Sequence, residues 1–420
     1  MKQPENRAIT KAYAYLYLSR LLGAGSNKLY DLLALRPEVE QLCRMTADDW
    51  RKTGLLTQGE LRRVARINSD SIWETLDYCD THDIRVITPE DAEYPPGFRG
   101  IENPPAILFA RGLPLENDRP AIGIVGARKS TEFGQKAAYS LSAKLALAGF
   151  TVVSGGAVGI DHMAHAGALY AGGTTVAVLG CGIDSDYLPK QEALRRRVAE
   201  QGTLLSEFEP RTSATRYTFP IRNRLISALS CGVAVIEAGQ KSGALITATY
   251  AMEQGREVFA LPGGINQQQY AGTNALLRDG AIPLLSVEDI ILVYLGRFSD
   301  TLKTDITPSA EIRQGYAKEA ALIVQSQSKG RAATSAKKRV PAAPDTTASS
   351  VLSGVTPPEQ MVCSPAAKQV YAAFAEQTEL SDTLSARSGI AGGAFIAAIT
   401  ELELMGYIKA VPVGRYERIK

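Results

Sequence analysis

Apolar residues recur at helical spacing across residues 6–88, in AYAYLYLSRLL, LYDLLAL and ELRRVARI, and predict helices there. Residues 94–112 break that pattern. The run YPPGFRGIENPPAILFARG carries four prolines, which remove helical hydrogen bonds, so an extended connector is expected. From residue 121 the period changes. Short apolar, β-rich runs fall at Ile122–Val125, Thr151–Val153, Thr175–Leu179, Thr203–Ser206, Val233–Ile236, Val258–Ala260 and Ile282–Leu285. Helix-like stretches such as EFGQKAAYSLSAKLALAG and GALITATYAMEQG lie between them. Strands alternating with helices predict an α/β fold with a parallel sheet and right-handed crossovers. The strands are apolar throughout, as a sheet covered on both faces requires. Ligands of such sheets sit beyond the carboxyl ends of the strands.

Past residue 296 the periodicity stops. The stretch SKGRAATSAKKRVPAAPDTTASSVLSG is rich in Ala, Ser, Thr and Pro, and places a disordered linker in 297–363. Its Lys329, Arg331, Lys337, Lys338 and Arg339 can add a weak, salt-sensitive attraction to DNA, but a soluble tether fits the composition better. Residues 364–420 regain helical spacing. SPAAKQVYAAFAE has Ser364 as N-cap and Pro365 at the first helical position. Two more helices fall in LSDTLSARSGIAGGAFIAAITELELMGYI, and IKAVPVGRYERI suits a β-hairpin. Helix, helix, helix, hairpin is the winged-helix order. The third helix carries no Lys or Arg but does carry Glu401 and Glu403, which favours a protein-contact or structural role over reading a DNA groove. The expected organisation is a helical domain over 1–88, an α/β domain over 89–296, the linker over 297–363 and the winged helix over 364–420. In the first of these, Leu22-Gly23-Ala24-Gly25-Ser26 resembles the turn of helix-hairpin-helix and SAM-like domains, whose N–H groups can touch a phosphate. A plain Gly-rich helix–helix turn with no ligand is the favoured reading, because so short a pattern is unspecific.

A length of 420 residues suits two or three domains. The chain carries 46 Lys and Arg against 44 Asp and Glu, a net charge of +2, which excludes a wholesale polycation but not a local basic patch. Residues 121–296 alone hold 15 basic and 14 acidic side chains, so any anion site there is built by placement. The five cysteines, Cys43, Cys79, Cys181, Cys231 and Cys363, show no CxxC or Cys/His metal spacing and fit a reducing cytoplasm. No run of 18 apolar residues occurs, so membrane insertion is not expected.

Four strand-to-helix turns are suited to anions. The first strand ends in Gly126-Ala127-Arg128-Lys129-Ser130-Thr131, where N–H groups and the positive end of a helix meet an arginine capable of bidentate phosphate contact. The second ends in Ser154-Gly155-Gly156-Ala157-Val158-Gly159-Ile160-Asp161. Lys241-Ser242-Gly243 and Leu261-Pro262-Gly263-Gly264 form the third and fourth. Neither GxGxxG nor a Walker A pattern is present, which argues against a dinucleotide site and P-loop hydrolysis. Asp161, His162 and His165 lie within a helical turn, but lack further ligands, so no metal is expected and a helix-surface or capping role is favoured. The segment Tyr217-Thr218-Phe219-Pro220-Ile221-Arg222-Asn223-Arg224 combines arginines, which can bind phosphate, with aromatics, which can stack a base. Ion pairing to Glu207, Glu209 and Glu237 is the alternative use of those arginines. Arg195, Arg196 and Arg197 fan around a helix and suit a solvated face.

In order, YPPGFRGIENPPAILFARG, IVGARKST, SGGAVGIDHMAH, FPIRNRLIS, EAGQKSGALITA, GREVFALPG and GTNALLRDGA resemble the DNA-processing DprA (Smf) family over about residues 90–285. The resemblance implies a Rossmann-like core, flanked by the SAM-like and winged-helix domains, that binds and protects incoming single-stranded DNA in natural transformation and loads the recombinase RecA. It implies a binding protein without cofactor, not an enzyme. Arg128, Phe219, Arg222, Asn223 and Arg224 map onto the family's pocket, and Lys190 does so by its position after the YLP segment. With Gly126, Ser154, Gly155, Lys241, Ser242 and Gly243 they form the expected DNA site. The resemblance also implies a homodimer through Thr273–Leu285, here Asn274, Leu276, Leu277, Ile282 and Leu284, with the RecA contact near that surface. Single-strand-binding protein or a competence regulator would be further partners. Two rivals remain. A nucleotide-sensing domain would bind a small phosphorylated ligand, and a nucleotide phosphoribohydrolase would carry PGGxGTxxE. Here that stretch reads PGGINQQQYAGTNALL, with no glutamate following Gly272-Thr273.

Overall fold

Side-chain caps start the longer amino-terminal helices. Thr10 caps α1 (Lys11–Leu22), which is followed by the short α2 (Leu29–Leu33) and α3 (Val39–Leu42). Capping boxes, Thr46 with Asp49 and Thr57 with Glu60, open α4 (Ala47–Thr53) and α5 (Gln58–Val64). Asn68 caps α6 (Ser69–Thr81). These positions come from a computed structural model that describes residues 7–36, 38–186, 191–304, 306–322, 364–374, 378–390, 395, 398–399, 401–402, 407–411 and 415–419. The chain divides into two compact units, Met1–Lys337 and Lys338–Lys420.

In the first unit the sheet runs through β1 (Arg85–Ile87), β2 (Leu108–Gly112), β3 (Ala121–Val125), β4 (Thr151–Ser154), β5 (Thr175–Leu179), β6 (Thr203–Ser206), β7 (Gly232–Val235), β8 (Glu257–Ala260) and β9 (Ile282–Pro283). The helices are α7 (Pro96–Arg99), α8 (Glu132–Ala148), α9 (Ile160–Tyr170), α10 (Glu192–Gln201), α11 (Thr218–Leu229), α12 (Gly243–Glu253), α13 (Ala271–Arg278) and α14 (Glu288–Leu295). The nine strands lie in the order β1-β2-β6-β5-β4-β3-β7-β8-β9. From β6 to β9 every pair is parallel, and β1 and β2 add an antiparallel edge. After β3 the chain winds outward through β4, β5 and β6, then returns to place β7 on the other side of β3. This reversal opens a crevice at the carboxyl ends of β3 and β7.

All seven strands read from the apolar runs are present, shifted by no more than two residues at an end. The expected connector is a correction. Residues 94–112 contain α7, with proline in its first turn where no helical hydrogen bond is lost, and β2, which is free of proline and pairs with β6. The helical region packs directly on the sheet, because Leu16, Leu18, Trp50 and Ile72 share one apolar cluster with Phe109, Leu179 and Leu204.

A second correction concerns the segment after 296. Residues 310–322 form a helix, α15, not linker. Its Ile312 is buried, and the Ile312 carbonyl accepts a 2.8 Å hydrogen bond from the Tyr139 hydroxyl. Its Glu319, 2% exposed, lies 2.7 Å from His162 Nε2 and 2.8 Å from Arg197. Ile312, Tyr316 and Ala320 do carry a helical apolar stripe, but it is short and includes a buried glutamate that hides it. Residues 323–363, with Lys329, Arg331, Lys337, Lys338, Arg339 and Cys363, lie outside the described residues.

In the second unit α16 (Pro365–Ala372) begins at Ser364, whose side chain caps Ala367 N as expected. It is followed by β10 (Thr378–Leu380), α17 (Ser381–Ser388), β11 (Ile408–Val411) and β12 (Arg415–Arg418), the strands forming an antiparallel sheet in the order β10-β12-β11. The expected hairpin is β11–β12. Of the third expected helix, residues 395, 398–399 and 401–402 are described and helical, and Glu403 falls outside. Glu401 is used internally: it accepts Ser364 N–H at 2.7 Å and Ser364 Oγ–H at 2.5 Å.

Candidate nucleic-acid interface

An open groove of about 840 Å³ lies at the crevice between β3 and β7. Gly126 and Arg128 reach it from the end of β3, Phe219, Arg222 and Asn223 from the start of α11, and Lys241, Ser242 and Gly243 from the turn into α12. Eight of the twelve expected DNA-site residues therefore converge. Sequence reasoning passed over two more cations, Lys129 and Arg216, although both adjoin residues it singled out. Arg128, Lys129, Arg216 and Lys241 are exposed, and Arg222 lies below them at 4% exposure. The acid on this lining is Asp161, 7% exposed, whose Oδ2 accepts Gly155 N–H at 3.2 Å. Burial raises its carboxyl above the usual range, opposed by Arg222, the Ala157 N–H, Arg128 and the Gly155 N–H. The groove is thus cationic inside a near-neutral protein.

The Arg128 guanidinium stacks over the Phe219 ring at 4.6 Å from its centroid. This cation–π pair aligns a phosphate-binding fork with an aromatic face. Arg222 works differently. Its Nη1 donates to the Gly155 carbonyl at 2.6 Å and to the Val178 carbonyl, tying together the ends of β4 and β5. Asn223 accepts from Arg222 Nε at 3.2 Å and donates to the Gly243 carbonyl at 3.2 Å. These two residues therefore shape the floor, with Arg222 adding positive potential. Ser242 caps α12, and a Cβ at Gly243 would meet nothing within 4 Å, so this helix start is open toward the groove.

Four expected contributors are placed elsewhere or lie outside the described residues. Arg224 is 0% exposed, on the opposite face of α11, and both Glu207 oxygens accept from it at 2.8 Å. Ser154 is buried, with its hydroxyl donating to the Ile124 carbonyl at 2.6 Å, and the Gly155 N–H is taken by Asp161. Gly155 has another reason to be glycine: a Cβ there would stand 2.5 Å from Arg222 Nη1. Lys190 lies outside the described residues.

The other anion-suited turns are filled by the protein's own groups. Thr131 N–H and Oγ–H, at the start of α8, donate to the buried Glu237 carboxylate at 3.0 Å and 2.7 Å. The Gly263 N–H donates to Asn274 Oδ1 at 3.1 Å, and Gly264 N–H to Gln267 Oε1 at 3.1 Å. In the amino-terminal turn Gly25 N–H donates to Glu207 at 3.2 Å, and a Cβ on Gly25 would stand 3.0 Å from Ile221. That turn is a docking contact onto α11. Asp161, His162 and His165 are all buried, which corrects the helix-surface placement. No metal-binding cluster occurs among the described residues.

Of the expected dimer residues, Leu276 and Leu284 are 8% and 3% exposed and belong to the core of the protomer. Asn274 clasps the Gly263 turn through both amide atoms. Leu277 and Ile282 are half-buried. They fill the space under α13 and beside β9, where an apolar pattern signals burial without saying against what. Leu285, beside them, is exposed.

An open, mostly parallel sheet with a cationic, aromatic-lipped groove at its switch point defines an α/β protein whose groove has the charge and shape to take an extended anion. The family model described as DNA recombination-mediator protein A matches residues 85–294, half of the chain, and the chain belongs to that family. Protein Smf of Synechocystis sp. is 34% identical over 341 residues, 80% of each chain. DNA processing protein DprA of Bacillus subtilis is 41% identical over 208 residues, 49% of this chain and 70% of its own. The X-ray structure of DNA processing protein A from Streptococcus pneumoniae matches with a TM-score of 0.59 and 30% identity, covering 68% of this chain and 98% of that one.

Proposed function

We propose that the protein is a recombination mediator that holds single-stranded DNA in the switch-point groove and passes it to a RecA recombinase. The carrying observation is the lining itself: Arg128, Lys129, Arg216, Arg222 and Lys241 around Phe219, against one buried acid. The exposed cations meet phosphates, the start of α12 adds the Gly243 N–H, and Phe219, backed by Arg128, stacks a base. None of these contacts reads a base edge, so binding tolerates most sequences. The membership of a DNA recombination-mediator family supports this use of the groove.

In this reading the protein is a binding module and performs no chemistry on the strand. It works in the cytoplasm as a homodimer, whose two grooves give avidity on one strand. The helical region is a SAM-like domain and the carboxyl-terminal unit a winged helix. With Glu401 committed to capping α16, that unit suits a protein contact better than a DNA groove.

The test is a fluorescence titration of labelled single-stranded oligonucleotide at several salt concentrations. Arg128→Ala is expected to weaken binding about tenfold and to flatten the log–log salt slope by about 0.7, the share of one phosphate on a single strand. Wild-type affinity and slope in that variant would remove Arg128 from the site.

A further inference from the structure

The amino ends of the same strands hold a second, smaller pocket, of about 210 Å³. Thr151 at the start of β4, Cys231 just before β7, and Arg119, Arg256 and Arg297 line it, with Glu116 at one side. Arg119 is already committed, donating to the Gly149 carbonyl at 2.9 Å, to Glu116 at 2.9 Å and to Thr174 Oγ1 at 3.2 Å. Arg256 and Arg297 have no carboxylate partner among the described residues. Arg256 Nε is buried without a hydrogen-bond partner there, and so is the hydroxyl of Thr151, a residue only 6% exposed. Buried donors of this kind are ordinarily satisfied, and these two on one pocket wall, with the exposed Arg297 guanidinium stacked over Phe298 at 5.2 Å beside them, call for an acceptor.

Both guanidinium groups also act on the same wall. Burial pushes the Cys231 thiol up to about 11, and after its backbone contacts Arg297 and Arg256 pull it back down. The thiol is protonated at neutral pH and is no nucleophile, which leaves the arginines and the threonine as the chemistry of the site.

We propose that this pocket binds a small oxyanion, inorganic phosphate or a terminal phosphomonoester. Two arginines supply the charge and bidentate donors that a phosphate takes, and Thr151 adds a hydroxyl. The volume falls below the ~300–1,000 Å³ of pockets that enclose drug-sized ligands, so a phosphate head fits and a whole nucleotide does not. The site stands at the edge of the sheet opposite the DNA groove and does not depend on that groove's function.

The test uses the full chain, with inorganic phosphate titrated by calorimetry at constant ionic strength. Wild type is expected to bind with Kd on the order of 1 mM, and Arg256→Gln/Arg297→Gln to lose at least about tenfold. Thr151→Val, which keeps the charge and shape, is expected to weaken binding several-fold, and keeps the test decisive if the double variant fails to fold. Arg128→Ala is expected to bind phosphate as wild type does. A second arm compares oligonucleotides with a 5′-phosphate or a 5′-hydroxyl. A preference for the 5′-phosphate that the double variant loses identifies a strand end as the source, and no preference identifies free phosphate. No heat with phosphate, or equal binding in wild type and both pocket variants, would overturn the site. A failure of the DNA groove instead shows in Arg128→Ala on oligonucleotides alone.

Discussion

Arg222 and Arg224 are two residues apart in sequence and have unrelated roles. About 200° of helical rotation separates them, so one faces the groove and the other faces Glu207. Arg224→Ala would leave the buried Glu207 side chain with the Gly25 N–H as its one remaining donor among the described residues. Removing one partner of such a pair costs about 3–5 kcal/mol, read as a lower urea midpoint. The salt slope of DNA binding should stay at its wild-type value, because Arg224 meets no phosphate. His165 makes a pH prediction. Thr175 Oγ1 donates to the Val152 carbonyl, so it accepts from His165 Nδ1–H at 2.8 Å, while Nε2 has no partner among the described residues. Burial, then His162 and Arg222, lowers its pKa to about 3. The unfolded chain takes up the proton near 6.5 and the folded chain does not. Stability present above pH 6.5 is therefore lost as pH falls toward 3. Melting curves across that range should show a shallower acid loss in a folded His165→Asn variant than in wild type. Equal slopes would remove His165 as a contributor.

The element that most depends on tertiary contacts is the loop between β6 and α11. It supplies Ala214, Thr215 and Arg216 to the groove wall, yet its first half is held by the helical region. Arg20 on α1 donates to both Glu209 oxygens at 2.8 Å and 2.7 Å, Thr75 on α6 adds 3.2 Å, and Arg211 stacks over Tyr78 at 4.2 Å. Arg20→Ala is expected to raise hydrogen exchange over 207–217 and to weaken oligonucleotide binding several-fold, with the salt slope retained. A flattened slope would mean that Arg20 itself touches the strand. At the other end of the sheet, Leu284→Ala should cost about 2–5 kcal/mol through a core cavity and leave the association state unchanged in sedimentation. The seven parallel strands were legible because burial on both faces leaves uninterrupted apolar runs. Strand β2, between β1 and β6, was missed because the prolines preceding it outweighed LFARG, and α15 was missed because it buries a glutamate satisfied by His162 and Arg197.

Across the whole molecule, 46 basic side chains nearly cancel 44 acidic ones, while four exposed cations line one groove. Phosphate contact by those four predicts a log–log salt slope of about −3 for single-stranded DNA. A slope near zero would deny the groove an electrostatic role. Many acids outside the groove are committed to ion pairs, Glu207 with Arg224, Glu209 with Arg20 and Asp184 with Arg111, which keeps them from opposing the strand.

By itself, the sequence determined the alternation of strands and helices, the Ser364 cap, and the carboxyl edge where a ligand belongs, because these follow from local period and turn chemistry. It also marked Arg128, Phe219 and Lys241. Only the tertiary structure decided which anion-suited turns are free. Glu237, Asp161, Asn274 and Glu207 reach four of the candidate N–H turns from distant positions or from the next helical turn. An unfilled N–H group and one satisfied by a carboxylate read alike in sequence, since the partner is fixed by how the chain closes.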